Sequence, residues 1–185
     1  MWTLLCALAI CYTYARVYLP FQEQRKDVVQ LPDRVLEYFP NKDRSVYSFG
    51  LITSAATTVT GELWFTQNFF AAEKLWLKYA FTLIIKAVAL YLTPLEVPKG
   101  YIALEDKISS HFTNSVETYG RDLFFSSHTA LMCLCLINTA YIWVGVTAFL
   151  SLTWMLMVNR VHYTIDIFMA PFVAYTCHRL VDDIL

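Results

Sequence analysis

Residues 123–159 contain no Asp, Glu, Lys or Arg. As one helix this run would be a rod of roughly 55 Å at about 1.5 Å per residue, whereas the hydrocarbon of a bilayer is only about 30 Å thick. A soluble globule has no surface that accepts such a run, and a single membrane crossing is too short for it. The run is therefore expected to turn back on itself between Asn138 and Gly145, leaving helices over residues 122–140 and 144–158.

The rest of the chain has the same character. It is 57% hydrophobic and 16% charged, where a soluble domain carries about 25% charge. Its 14 Lys plus Arg balance 15 Asp plus Glu, in short stretches that build no basic surface for nucleic acid. Further helices are expected over residues 3–20, 45–69, 75–98 and 162–180. The first is broken only by Arg16 and lacks the charged start and small-residue exit of a cleaved leader. The second is rich in Ser and Thr, which suits a helix packed inside a bundle, and its Glu62 is read as a carboxylate reaching the interface. The third carries Lys86 in mid-run, which needs an anionic partner at that depth: Glu62, Asp166 or a substrate phosphate, the phosphate being favoured. Polar connections over residues 21–44 and 99–121 separate these helices. The expected fold is all-α, a polytopic membrane protein forming one six-helix integral membrane domain over residues 1–185. Five cysteines all lie inside apolar runs, and Cys133 and Cys135 point to different helix faces. They are read as small buried hydrophobes, with no metal and no cofactor expected.

Six crossings place the connections after the first, third and fifth helices on one side of the membrane. His128 is then about two turns into the fourth helix near that side, and His162 and Asp166 stand in the first turns of the sixth. His162 and Asp166 are four residues apart, which on a helix puts them on one face. A carboxylate that accepts the proton of one ring nitrogen fixes the tautomer and raises the basicity of the other, making His162 a candidate nucleophile. Alone, the pair reads equally as a structural contact. A second imidazole at the same face, His128, tips the balance towards catalysis, because it supplies the general acid that an attacking His162 cannot be.

These residues resemble the sphingomyelin synthase branch of the type 2 phosphatidic acid phosphatase superfamily of lipid phosphatases and phosphotransferases. The likeness is carried by Asp122-Leu-Phe-Phe-Ser-Ser-His-Thr129 and by His162-Tyr-Thr-Ile-Asp166. It is extended by Leu92-Thr-Pro-Leu-Glu-Val-Pro98 and Leu31-Pro-Asp33, in the same order along the chain. The resemblance implies a six-helix bundle in which His162 forms a phosphohistidine, Asp166 orients it and His128 protonates the departing alcohol. It implies a phospholipid donor, a lipid alcohol acceptor such as ceramide, and phosphate-binding residues among Lys86, Asp122, Ser126, Ser127 and Tyr163. Ser127 stands where that branch has Gly, and Lys86 where it has Arg. Leu156 replaces an Arg of the phosphatase branches, for which Arg160 is the candidate substitute. The alternative within the same superfamily is a lipid phosphate phosphatase, with water as the acceptor.

Nine bases (Arg25, Lys26, Arg34, Lys42, Arg44, Lys99, Lys107, Arg121 and Arg160) fall on the side of the imidazoles, against Lys74, Lys78 and Arg179 opposite. By charge alone that side faces the cytosol. The resemblance implies the reverse, an exoplasmic or lumenal active site, and that is the expectation adopted.

Overall fold

The computed structural model describes residues 2–66, 69–103 and 119–185; Lys107 and most of the second polar connection lie outside the described residues. Among these residues the architecture is all-helical. Helix α1 is Trp2–Glu23, α2 Ser45–Thr66, α3 Phe69–Leu92, α4 Ser127–Asn138, α5 Ile142–Asn159 and α6 Thr164–Ile184. Three of them, α1, α3 and α5, are long and apolar enough to cross a membrane.

Helix α4 is the hub, packed against α2, α3, α5 and α6. From Ser127 to Cys135 every residue except His128 is buried, as expected of a helix that is apolar all round. Ala170 and Ala174 of α6 are wholly buried against it, a small-residue stripe that lets two helices approach closely. A second cluster, built on Leu152, Leu156 and Val161, reaches Leu36 of the first connection. A third joins Tyr14 of α1 to Leu83, Leu90, Leu123 and Tyr163.

Several boundaries differ from the sequence expectation, each for a physical reason. Helix α3 starts at Phe69 rather than at residue 75, because its early charges find partners. Glu73 accepts from Thr3 Oγ1 at 2.6 Å, and Lys74 Nζ lies 3.9 Å from Asp182 Oδ1 and over the Phe70 ring. It ends at Leu92 rather than at residue 98, since Pro94 has no N–H and keeps Thr93 out of the helical region. The chain beyond leaves extended, with Val29 N donating to Pro94 O and Glu96 N to Val29 O. Helix α4 starts at Ser127, not Asp122: Phe124 has φ 70°, and Ser126 caps the helix by accepting from Thr129 N. Helix α6 starts at Thr164, so His162 precedes it.

In α2 the hydroxyls of Thr57, Thr60 and Thr66 return to carbonyls four residues back. They satisfy the helix itself rather than bridge to its neighbours. Glu62 extends to the loop between α4 and α5. Its carboxylate accepts from Thr139 Oγ1 at 2.9 Å and from Ala140 N at 2.8 Å, capping the corner between α4 and α5. Gly145 lets α5 approach Leu136 closely: a Cβ there would lie 2.7 Å from Leu136 Cδ1, so that side chain would have to shift.

Candidate active site

The ends of α1, α3 and α5 and the beginnings of α4 and α6 meet at one end of the bundle, where the first connection and the described part of the second pack against them. Asp33 ties the first connection to α6: its carboxylate accepts from Thr164 N at 2.6 Å and Thr164 Oγ1 at 3.0 Å, and also from Val35 N and Leu36 N. Tyr163 ties in both connections. Its hydroxyl donates to Glu96 O at 2.8 Å and accepts from Leu31 N at 3.1 Å, while the ring is buried. Tyr163 was expected at the substrate; its hydroxyl is instead committed to main chain on both sides.

His162 is 1% exposed in the segment just before α6. Asp166, in the first turn, accepts from Tyr163 N at 3.1 Å through Oδ2, and the same oxygen lies 3.5 Å from His162 Nδ1. The proximity expected from the four-residue spacing is present, although the pair does not lie along one helix face. A capping box produces it: the carboxylate reaches back over the helix start, and His162 sits one residue before the cap. Neither ring nitrogen of His162 nor Oδ1 of Asp166 has a hydrogen-bond partner among the described residues. Buried polar atoms are normally satisfied, and leaving them bare costs on the order of 1–3 kcal/mol each.

His128 occupies the first turn of α4, its ring centroid 6.3 Å from that of His162 with the planes at 56°. The spacing is held by a direct tie between the two helix starts, Ser126 N donating to Asp166 O at 3.1 Å. Ser126, expected among the phosphate-binding residues, is therefore the cap of α4 and a brace to α6.

Lys86 is wholly buried, and its ammonium is fully occupied. Nζ lies 2.8 Å from Asp122 Oδ1, donates to Asp122 O at 3.0 Å and Ser127 Oγ at 3.3 Å, and stands over the Phe125 ring. Ser127 Oγ in turn donates to Asp122 Oδ2 at 3.3 Å, and the Tyr14 hydroxyl donates to Asp122 Oδ1. Among the protein groups weighed, the partner of Lys86 is neither Glu62 nor Asp166 but Asp122, across a sequence gap that no local pattern reports. The cluster pins residues 122–127, and through them the start of α4 that carries His128.

Arg160 adopts a left-handed conformation at the end of α5, with φ 53°. Its guanidinium donates to Lys99 O at 3.1 Å and to Leu36 O and Phe39 O at 3.4 and 3.5 Å. It staples the two connections together, a role distinct from the phosphate ligand expected. Arg121 is likewise engaged, with Glu96 at 2.6 Å and the carbonyls of Glu23 and Arg25 at 2.7 Å. Its guanidinium holds the Glu96 carboxyl below the ordinary value of 4.5, against the opposing effect of burial.

Asp33 and Glu96, which the sequence offered only inside flanking motifs and without a role, and Tyr14, which it did not point to, are the further contributors. Asp33 has a local signal, an Asp placed to accept the N–H groups two and three residues on, but nothing nearby announces Thr164. Among the described residues no group of three or more His, Cys, Asp or Glu side chains is gathered as for a metal ion. Comparison of the chain with protein-family models, with curated proteins and with solved structures gives no match.

The arrangement offers a buried imidazole with a carboxylate on one nitrogen, a second imidazole facing it, and a cation already neutralised by Asp122. That is the equipment for nucleophilic attack on an electrophile whose leaving group needs a proton.

Proposed function

We propose that this chain is a six-span membrane lipid phosphotransferase. It moves a phosphorylated headgroup such as phosphocholine from a glycerophospholipid to a lipid alcohol such as ceramide, through a phosphohistidine on His162. The observation that carries the reading is the buried His162 ring, its Nδ1 3.5 Å from Asp166 Oδ2, with the His128 ring centroid 6.3 Å from its own. Since Nδ1 faces the carboxylate, Nε2 is the nucleophile. Its lone pair forms the P–N bond as the P–O bond to the diacylglycerol breaks, and the His128 imidazolium gives its proton to the leaving oxygen. Neutral His128 then takes the proton of the acceptor hydroxyl, whose oxygen displaces His162 from phosphorus. Asp166 stabilises the positive ring between the two steps.

Transfer is favoured over phosphate release by the charge around the imidazoles. Lys86 is paired with Asp122, and Arg121 and Arg160 are committed to other acceptors. A phosphomonoester with nearly two negative charges calls for free cations; a diester carries one. Six crossings are supported by the lengths of α2 and α6, 22 and 21 residues, each about 30 Å or more. Helix α4 has 12 residues, about 18 Å. The remainder of its crossing falls to the segment before Ser127, whose Leu123 and Phe125 are buried, as non-helical backbone at membrane depth must be. The site is assigned to the exoplasmic or lumenal face, following the family likeness.

The test is lipid mass spectrometry of purified protein supplied with phosphatidylcholine and ceramide. Stoichiometric sphingomyelin and diacylglycerol, both absent with His162→Ala, are expected. Phosphate release from phosphatidic acid without any need for an acceptor would assign the protein to the phosphatases instead.

A further inference from the structure

An apolar groove of about 430 Å³ runs between α1 and α3, with Ala9, Thr13, Tyr14 and Tyr18 on one wall and Ile84 and Ala87 among the residues of the other. The alanines leave a trough where larger side chains would interlock. Helix α1 is also widened there into a π turn, Tyr14–Tyr18, a distortion that recurs at functional positions. The wide turn stacks Tyr14 on Tyr18, ring centroids 5.6 Å apart. All three hydroxyls bordering the groove are committed to protein acceptors: Tyr14 to Asp122, Tyr18 to Ala87 O, and Thr13 to Ala9 O. The groove therefore offers hydrocarbon contact and no free hydroxyl donor, a lining that suits an alkyl chain and not water.

The wall residue Tyr14 links the groove to the candidate site. The Tyr14 hydroxyl holds the same carboxylate that pairs with Lys86 and Ser127, next to His128. From Tyr18 back to Ala9, α1 runs away from the site end of the bundle, and α3 does the same from Ala87 back to Ile84. A bilayer lipid has this polarity, its phosphate at one end and its chains directed inward. We infer that the groove receives one acyl chain of the lipid whose phosphate meets His162. The head of that assignment rests on the phosphotransferase reading; the chain rests on the groove.

Two measurements test it separately. In the first, the purified chain in nanodiscs is illuminated with a phosphatidylcholine bearing a diazirine midway along one acyl chain. Label should concentrate on Thr13 and Ile84. Ala87→Phe and Ala9→Phe, which fill the groove from opposite walls, should each cut that label several-fold, and Ile85→Phe, at an exposed α3 position outside the groove, should not. Label spread evenly over Ile84 and Ile85 and indifferent to both groove variants means ordinary surrounding lipid and overturns the inference. In the second, kcat/KM for a long-chain phosphodiester is divided by that for nitrophenyl phosphocholine, which has no chain. The ratio should fall about tenfold in both groove variants, what excluding roughly two methylenes from apolar contact amounts to. An unchanged ratio overturns the chain assignment. Wild-type protein that turns over neither substrate removes the phosphotransferase reading, and the labelling, which needs no chemistry, then decides the groove alone.

Discussion

Oδ2 of Asp166 lies 3.1 Å from Tyr163 N and 3.5 Å from His162 Nδ1, so one oxygen both caps α6 and faces the imidazole. Fold and chemistry share that atom. Asp166→Asn should therefore lower activity by a thousandfold or more, on the order of what removing the orienting carboxylate of a catalytic triad costs. It should also lower stability by about 1 kcal/mol through a weaker cap. Turnover and thermal unfolding measured on the same preparation check this. A full loss of stability with normal specific activity in the surviving fold would make the contact structural only.

His128→Ala should be selective in its damage. An alcohol such as diacylglycerol leaves only with a proton, whereas nitrophenolate leaves without one. The rate lost relative to wild type should be at least about tenfold smaller for a nitrophenyl phosphodiester than for a phospholipid, if the missing proton transfer carries the usual 100-fold or more. Equal losses for the two substrates would assign His128 to binding or packing.

The Lys86 and Asp122 pair calls for a double-mutant cycle. Lys86 is 0% exposed and Asp122 16%, so Lys86→Met strands a largely buried carboxylate and should destabilise the protein by about 3 kcal/mol. Adding Asp122→Asn should return much of that loss, a non-additivity of at least about 1 kcal/mol. Glu62→Gln should give no such rescue, since Glu62 caps the far corner at Thr139 and Ala140. Denaturation in detergent reads all three.

Glu96 and Arg121 should leave a mark on the acid limb of stability. The guanidinium holds the Glu96 carboxyl below 4.5, so the carboxylate's contribution is fully present above pH 4.5 and is lost as pH falls through the lower folded value. The pair is partly exposed, which limits it to under about 1 kcal/mol. Wild type should lose thermal stability below pH 4.5 more steeply than Glu96→Gln, and the two should run parallel from pH 6 to 8. Parallel curves below pH 4.5 would mean that the pair contributes nothing.

The sequence by itself determined the material and the rough length of the parts. A continuous uncharged apolar run of that size, without the alternation of barrel strands, points to helices folded back on one another, which satisfy their own backbone hydrogen bonds in hydrocarbon. The corner near Gly145 and the closeness of His162 to Asp166 were legible because both are short-range. Two boundaries were misread from the sequence although their signals are local: Pro94 ends α3 at Leu92 rather than at residue 98, and Ser126 caps α4 at Ser127 rather than at Asp122. What only the tertiary structure decided is who meets whom across the bundle. Lys86 finds Asp122 rather than Glu62 or Asp166. Arg160 turns to the carbonyls of Leu36, Phe39 and Lys99, and Asp33 reaches Thr164 across the chain. The physical reason is that a helix apolar on every side, as α4 is, carries no pattern that fixes its rotation about its own axis. Close packing of small residues such as Ala170 and Ala174 against α4 sets that rotation, and the partners of buried charges are settled with it.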